Sequence, residues 1–309
     1  MIASYKNIDN GLITLSQPIN GSWINVINPS PDEISQLEAL GIPLDYIQYP
    51  LDLDERARVE RENGELLIVL RIPHYQGESA DIPYVTIPLG IILTDRYLVT
   101  VSKMENSVIK DFINGRVRGL VTSKRQRFIL RILFSTANLY LNYLREITKA
   151  VDALEDQLQQ STRNKEVLGL LKYQKSLTLF TTALKSNELL MERLERSKIF
   201  DAYPEDQDLL EDVLIENRQA IEMTNISSNI LSSMMDAFAS IISNNLNGVM
   251  KFLASITIVL SLPTMVASFF GMNVHLPFEA NPFAFLLIIL MSAGIGLLVG
   301  FVFWKRDWF

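Results

Sequence analysis

The fold is decided near the C-terminus by two uncharged stretches, FLASITIVLSLPTMVASFF at residues 252–270 and FAFLLIILMSAGIGLLVGFVFW at residues 283–304. Each is long enough to cross a hydrocarbon core of about 30 Å as a helix that rises about 1.5 Å per residue. The connector at 271–282 is short, so we expect an antiparallel hairpin of two transmembrane helices. A buried hairpin in a soluble protein is the alternative, but two such runs rarely occur together in a soluble fold.

Basic residues at the ends of these stretches predict their orientation. Lys251 precedes the first stretch, Lys305 and Arg306 follow the second, and the connector carries no basic residue. Because cytoplasmic loops carry an excess of Lys and Arg, we expect a plasma or inner membrane protein with both termini in the cytoplasm. The tail at 305–309 is then cytoplasmic and the connector lies outside. The start of the chain lacks the pattern of a secretory signal, which agrees with this orientation.

Composition excludes several classes of function. The 309 residues carry a net charge of −7, two histidines and no cysteine. An acidic chain is not expected to bind nucleic acid. Without cysteine there are no disulfides and no thiolate metal sites, so little transition-metal chemistry is available. We find neither a glycine-rich phosphate loop nor a Ser/His/Asp arrangement, and we therefore expect that the protein is not an enzyme.

The remaining segments predict an α+β membrane protein. Residues 1–124 are typical of an α/β domain, with strands at 23–27, 66–72 and 85–101, the last broken near Asp95, and helices at 30–41 and 105–114. Apolar spacings of three and four predict an antiparallel pair of long helices within 125–200, at 125–160 and 165–197. A new helix start near Pro204 predicts a stalk helix over 201–270 that continues into the first membrane span.

One face of the predicted stalk is small and polar where a packed coiled coil would be apolar. Steps of seven residues give two rows: Asn229, Asp236, Ser243, Met250, Thr257 and Thr264, and Ser233, Ser240, Asn247, Ala254, Ser261 and Ser268. Within lipid such a row must face other protein or water. Hydrogen bonds between helices would account for any one of these polar residues taken alone. The whole row favours a water-filled axis that several copies of the chain surround, with the first membrane helix inside.

Two tryptophans and a row of small residues complete the second span. Trp304 and Trp308 lie beside Lys305 and Arg306, where an indole ring is favoured at the membrane boundary, so we interpret them as anchors. Ser292, Gly296 and Gly300 recur at intervals of four, which is typical of close helix packing.

The tripeptide Gly271-Met272-Asn273 resembles the signature of the CorA-type magnesium channel family. Further matches are Asn247-Gly-Val-Met250-Lys251, Pro263-Thr264 and the aromatic and basic tail at 304–309. The resemblance covers residues 125–309, and the N-terminal domain by layout. It implies a homopentamer with a cytoplasmic funnel that passes Mg²⁺ inward, and membrane lipids and divalent cations as partners.

The resemblance also implies a role for particular residues along the pore. A selectivity ring would comprise Gly271, Met272 and Asn273, a constriction would comprise Met250 and Leu253, and Thr264, Ser261, Thr257, Asn247 and Asp236 would line the path. Mg²⁺ holds its water tightly, so neutral oxygens that accept hydrogen bonds from the hydration shell bind it weakly enough to release it. An apolar constriction closes a pore by dewetting.

Regulation by cytoplasmic Mg²⁺ is a further implication of the resemblance. In the family, carboxylates of neighbouring subunits hold the regulatory ion. The start of the stalk offers Asp208 and Asp212, and the α/β domain of a neighbour offers Asp45, Asp52 and Asp54 as unranked partners.

Two alternatives stay open at this point. The same architecture handles Zn²⁺, Co²⁺ or Ni²⁺ in some related proteins, although the intact Met272 favours magnesium. A membrane-anchored coiled-coil sensor that conducts nothing predicts instead an apolar seam along the stalk.

Overall fold

The computed structural model describes residues 1–8, 11–117, 119–160, 164–201, 203–272, 282–306 and 308. The chain divides into two compact units, the N-terminal unit Met1–Met235 and the C-terminal unit Asp236–Phe309. The α-helices are α1 Pro31–Ala39, α2 Leu44–Gln48, α3 Ser107–Ile113, α4 Arg125–Gln160, α5 Asn164–Arg196, α6 Pro204–Phe270 and α7 Ala284–Lys305. The strands are β1 Ile2–Ile8, β2 Gly11–Leu15, β3 Trp23–Ile27, β4 Arg58–Glu62, β5 Glu65–Tyr75, β6 Tyr84–Leu93 and β7 Leu98–Ser102.

Within the described residues, the seven strands form one sheet in the order β2-β1-β3-β7-β6-β5-β4. The pairing of β3 with β7 is parallel and the other pairings are antiparallel. The predicted strands at 23–27 and 66–72 are confirmed as β3 and part of β5. The run at 85–101 forms β6 and β7, and the break near Asp95 lies between them. The sequence interpretation missed β1, β2, β4 and the short α2.

The sheet is covered on both faces, which explains the almost continuous apolar runs of β5 and β6. Side chains alternate between the two faces of a strand. Ile68 of β5 packs in a cluster with Phe128 of α4 and Val213 of α6. Its neighbour Val69 packs in a second cluster with residues of α1 and α2, including Leu37. The N-terminal unit is therefore built as helices on both sides of one sheet.

Helices α4 and α5 pack against each other as well as against the sheet. Their bounds agree closely with the predicted helices at 125–160 and 165–197. Tyr140 of α4 and Phe180 of α5 are fully buried and meet edge to face, with ring centroids 4.9 Å apart. Such aromatic pairs contribute roughly 0.5–1.5 kcal/mol beyond the burial of their area.

The start of α6 is held to α4 by a buried ion pair. Arg127 Nε lies 2.5 Å from Asp206 Oδ1, and its Nη2 lies 2.8 Å from Glu205 Oε2. The side chain of Asp206 is only 3% exposed. The hydrogen bonds that Arg127 donates to Asp206 and Glu205 raise the pKa of its guanidinium. Removing Arg127 would leave the carboxylate of Asp206 buried without this partner, so the ion pair stabilises the start of α6 against α4.

The C-terminal unit contains the two helical segments with the length and hydropathy of membrane spans that are found in the described part of the chain. The most apolar window of α6 has a mean hydropathy of 1.9 and is 6% buried, and that of α7 has 2.7 and is 0% buried. A helical hairpin in a soluble core would bury these surfaces, so their exposure argues against that alternative. Close packing joins the two helices where a Cβ on Gly296 would lie 3.3 Å from Pro263 Cγ.

Candidate ion path and regulatory carboxylates

The polar rows of α6 are exposed along their whole length in a single chain. Each member of the two rows is exposed: Asn229, Asp236, Ser243, Met250, Thr257 and Thr264, and Ser233, Ser240, Asn247, Ala254, Ser261 and Ser268. The rows are therefore not sealed inside one subunit. A sensor with an apolar coiled-coil seam would not place serine and asparagine at these positions.

The hydroxyl groups in the span form hydrogen bonds to the carbonyls of their own helix. Thr257 Oγ1 donates to Leu253 O at 2.8 Å, and Thr264 Oγ1 donates to Leu260 O at 2.8 Å. Ser261 Oγ lies 3.1 Å from a carbonyl three residues back. Each hydroxyl hydrogen is thus used, while the oxygen keeps lone pairs that can accept further hydrogen bonds. These oxygens are acceptors, which suits a hydrated cation because its water molecules present hydrogens.

The two residues predicted to form the constriction are apolar and exposed. Met250 is 58% exposed and Leu253 is 52% exposed in a single chain. They lie between the polar positions Asn247 and Thr257 on the same helix. Apolar side chains of this size would meet those of other copies only if the helices surrounded a common axis.

Near the other end of the span, two of the predicted residues line one cavity. Thr264 and Gly271 face a cavity of about 510 Å³ between α6 and α7, together with Ser292. The Oγ of Ser292 is buried and has no hydrogen-bond partner among the described residues. Gly271 ends α6, since its N–H donates to the carbonyls of Ala267 and Ser268 at 3.0 and 3.2 Å. Met272 is exposed, and Asn273 lies outside the described residues.

The predicted regulatory carboxylates are exposed but do not form a site within one chain. Asp208 and Asp212 lie on the exposed surface of the first turns of α6, and Asp45, Asp52 and Asp54 lie in and after α2. Among the described residues, no group of three or more His, Asp or Glu side chains could hold a metal ion. Carboxylate oxygens are suitable ligands for Mg²⁺. The donor chemistry therefore fits a regulatory ion that two copies share.

The segment that carries Asp52 and Asp54 is held by a residue that the sequence interpretation missed. Arg71 Nη1 donates to the carbonyls of Leu53 and Glu55 at 2.6 and 2.9 Å. Its Nη2 donates to Thr86 O at 2.6 Å and Thr86 Oγ1 at 2.8 Å. The segment also closes a turn on itself, because the N–H of Asp54 donates to Asp52 Oδ1.

The backbone of Arg71 is fixed in turn by the long helices. Asn187 of α5 accepts from its N–H at 3.0 Å and donates to its carbonyl at 2.7 Å, and Tyr140 of α4 also donates to that carbonyl. Burial lowers the pKa of Arg71, while Tyr140 and the nearby Asp54 and Asp52 act to raise it. The guanidinium remains charged at any physiological pH. A chain of hydrogen bonds thus connects the helix pair to the acidic segment.

Comparison with known proteins places these features in a family. A family model described as CorA-like Mg²⁺ transporter protein matches residues 20–306. A cobalt/magnesium transport protein CorA from Methanocaldococcus jannaschii is 26% identical over 93% of this chain and 90% of its own length. A protein of the same name from Thermotoga maritima is 22% identical over 93% of this chain and 83% of its own length.

A solved structure agrees with the fold over the whole chain. The complete CorA magnesium transporter structure from M. jannaschii matches with a TM-score of 0.86 at 24% identity, and it covers 100% of this chain and 99% of the other. This likeness confirms the predicted arrangement of an N-terminal α/β domain, a long helix and a C-terminal apolar helix.

Proposed function

The chain belongs to the family of CorA-like Mg²⁺ transporters, and from that premise we propose that several copies form a channel that conducts hydrated Mg²⁺ into the cytoplasm. The observation that carries the proposal is the exposure of both polar rows of α6, which continue into the apolar span. A lone hairpin would present to lipid the row members that lie within the span, from Thr257 to Ser268, which is unfavourable for the row as a whole. Identical copies arranged around an axis, which we take to be five, would present them to water instead.

In this proposal, the residues of the pore act on the hydration shell of the ion and not on the bare cation. Gly271, Met272 and Asn273 form the ring at the outer mouth. Thr264 and Thr257 lie below it, where their hydroxyl oxygens accept hydrogen bonds from the water that Mg²⁺ carries. Mg²⁺ dehydrates reluctantly, so binding through its water allows fast release.

The inner part of the path closes and opens without chemical energy. Met250 and Leu253 of neighbouring copies form an apolar constriction that blocks conduction by dewetting. Asn247 and Asp236 lie beyond it on the exit path. Moving two charges inward across 100 mV is favourable by about 4.6 kcal/mol. The proposed transport is therefore passive, and the protein is not an enzyme.

Cytoplasmic Mg²⁺ would regulate the channel through carboxylates of two copies. Asp212, with Asp208 one helical turn before it, faces an acidic residue of the neighbouring N-terminal unit. Asp45, Asp52 and Asp54 are the candidates there. Two features support this: the carboxylates are exposed, and they carry the donor atoms that Mg²⁺ prefers.

Mg²⁺ uptake into proteoliposomes tests the selectivity ring. We expect Asn273→Ala to abolish most of the uptake, because it removes the amide oxygen that accepts from the hydrated ion. Asn114→Ala is the matched control, since Asn114 follows α3 in the N-terminal unit, away from the proposed pore. If the Asn273 variant conducts as well as the parent, the ring is wrongly assigned.

Protease protection tests the regulatory site independently of conduction. Added Mg²⁺ should protect the α6 stalk of the parent from cleavage, and Asp212→Lys should reduce this protection. Glu222→Lys makes the same charge reversal at another exposed position of α6 and should leave protection unchanged. Equal protection of the parent and the Asp212 variant would remove Asp212 from the site.

Co²⁺ is a second candidate cargo. Both CorA relatives are named cobalt/magnesium transport proteins. Uptake of Co²⁺ by the same vesicles, and its competition with Mg²⁺, would show whether one path serves both ions. Failure of Co²⁺ to enter or to compete would restrict the proposal to Mg²⁺.

A further inference from the structure

A cavity of about 710 Å³ lies in the C-terminal unit between the beginning of the first span and the tail of the chain. Lys251 and Asn244 line it from α6, and Trp308 lines it from the tail. An ammonium group, a side-chain amide and an indole N–H are all hydrogen-bond donors. The volume is typical of pockets that hold small molecules or headgroups.

The tail is held in place at this cavity. The ring of Trp308 stacks on that of Phe303 with centroids 5.1 Å apart and an interplanar angle of 9°. The N–H of Trp308 donates to the carbonyl of Phe303 at 3.1 Å, and the N–H of Arg306 donates to the carbonyls of Val302 and Phe303. The chain therefore turns back at the end of α7 and presents its indole to α6.

Lys251 lines the cavity, and Lys305 and Arg306 precede its lining residue Trp308 by three and two residues along the chain. Lys251, Lys305 and Arg306 are exposed, and none of them forms an ion pair with a carboxylate among the described residues. Asp307 lies outside those residues. The rest of the chain is acidic, since the net charge is −7. Three cations at the ends of two apolar helices thus lie at one membrane boundary, opposite in sign to the protein as a whole.

We propose that this cavity binds the phosphate headgroup of an anionic membrane lipid. Basic pockets between membrane helices bind such headgroups, and each cation near the surface raises the affinity about fivefold. Phe252 and Ala254 extend the lining into the apolar span, so the site suits a phosphate that carries acyl chains better than free phosphate. Met250 also lines the cavity, and an effect of the lipid on the constriction would rest on the proposed channel function.

Quenching of Trp308 fluorescence by brominated lipids tests the binding directly. The full-length protein is reconstituted as a Trp304→Phe variant, in which the other tryptophan is Trp23, fully buried in the N-terminal unit. Brominated phosphatidylglycerol is compared with brominated phosphatidylcholine at equal mole fraction. We expect phosphatidylglycerol to quench more strongly and at lower mole fraction. Equal quenching by both lipids would overturn the proposal.

Charge variants give the second arm of the experiment. Lys251→Gln should raise the mole fraction for half-maximal quenching about fivefold, and Lys305→Gln with Arg306→Gln about 25-fold. Lys149→Gln removes an exposed charge from α4 and should change nothing. Lys251→Arg keeps the charge and should keep the preference for phosphatidylglycerol. This variant shows that a loss of preference in Lys251→Gln comes from the lost charge and not from misfolding. Unchanged quenching in both charge variants would also overturn the site.

Inorganic phosphate separates the two possible sources of the ligand. If excess phosphate abolishes the preference for phosphatidylglycerol, the cavity takes free phosphate and the lipid proposal is wrong. Quenching needs no ion flux. A failure of the Asn273→Ala uptake experiment would therefore leave this result standing, and a failure of quenching would leave the channel proposal standing.

Discussion

Replacement of Arg71 by lysine tests how the acidic segment around Asp52 and Asp54 is positioned. The guanidinium donates four hydrogen bonds, two to the carbonyls of Leu53 and Glu55 and two to Thr86. A planar fork reaches two pairs of acceptors at once, which a single ammonium on a flexible stem does not. We therefore predict that Arg71→Lys releases the segment from the sheet while the charge stays.

The size of the effect follows from these contacts. A hydrogen bond from a charged donor contributes about 1.5–3 kcal/mol. Arg71 is half-buried, so the lower end applies, and lysine would keep roughly half of the contacts. Losing even one bond to the segment should cost about 1.5 kcal/mol, which corresponds to a roughly tenfold increase in local opening.

Hydrogen exchange measured by mass spectrometry reports that opening. In the peptide 49–57, the amides of Asp52, Asp54 and Glu55 are protected by turn hydrogen bonds. Their exchange should accelerate about tenfold in Arg71→Lys, while the strand β7 stays protected. Arg56→Lys makes the same substitution at a neighbouring exposed arginine and should have no such effect. Unaltered exchange in the Arg71 variant would show that the segment holds its shape through its own turns, and the positioning role would be refuted.

Three further predictions concern packing and protonation. A Cβ at Gly90 would lie 2.2 Å from Cγ of the rigid Pro50 ring, so Gly90→Ala should lower the free energy of unfolding by about 1–3 kcal/mol in a denaturant titration; an unchanged midpoint would contradict this. Burial lowers the pKa of His74 below its ordinary 6.5, so its contribution to stability is full above that pH and is lost as the pH falls. The melting temperature of His74→Gln should therefore fall less steeply below pH 6.5 than that of the parent. An equally steep fall in both proteins would contradict this prediction. Gly296→Val should lower the melting temperature of the protein in detergent more than Gly294→Val does. A Cβ at position 296 would lie 3.3 Å from the ring of Pro263, whereas a Cβ at position 294 would have nothing within 4 Å. Equal melting temperatures of the two variants would contradict this prediction.

Much of the fold could be predicted because its strongest signals are local. The length of the two uncharged stretches indicated the two apolar helices, and the spacing of apolar residues by three and four indicated α4 and α5. The missed strands β1, β2 and β4 include many partly exposed residues, so they lack a long apolar run. One signal was available, however. Asn63 and Gly64 separate β4 from β5 and both have positive φ, at 51° and 90°. An Asn-Gly pair at this spacing is a strong indication of a hairpin turn.

In the candidate site, too, the residues with a local sequence signal could be predicted and the others could not. The polar rows follow from a period of seven, which a sequence displays directly. Arg71 gave no such signal, because three of its acceptors are backbone oxygens that any residue could supply. Its importance arises from pairing at a distance of 15 to 18 residues along the chain. Residues of this kind become visible in a structure and are hidden in a sequence.

The hydroxyl hydrogen bonds of α6 bear on why the path would require several copies. Thr257 and Thr264 satisfy their own hydrogens within the helix, so either residue by itself would tolerate lipid. Asn247 precedes the apolar stretch at 252–270, so water at the end of the span can satisfy its amide. The same helix also exposes Met250 and Leu253, which water would disfavour. A ring of copies removes this conflict, since it packs these apolar side chains against their equivalents, while the hydroxyl oxygens of Thr257 and Thr264 can still accept hydrogen bonds from water along an axis.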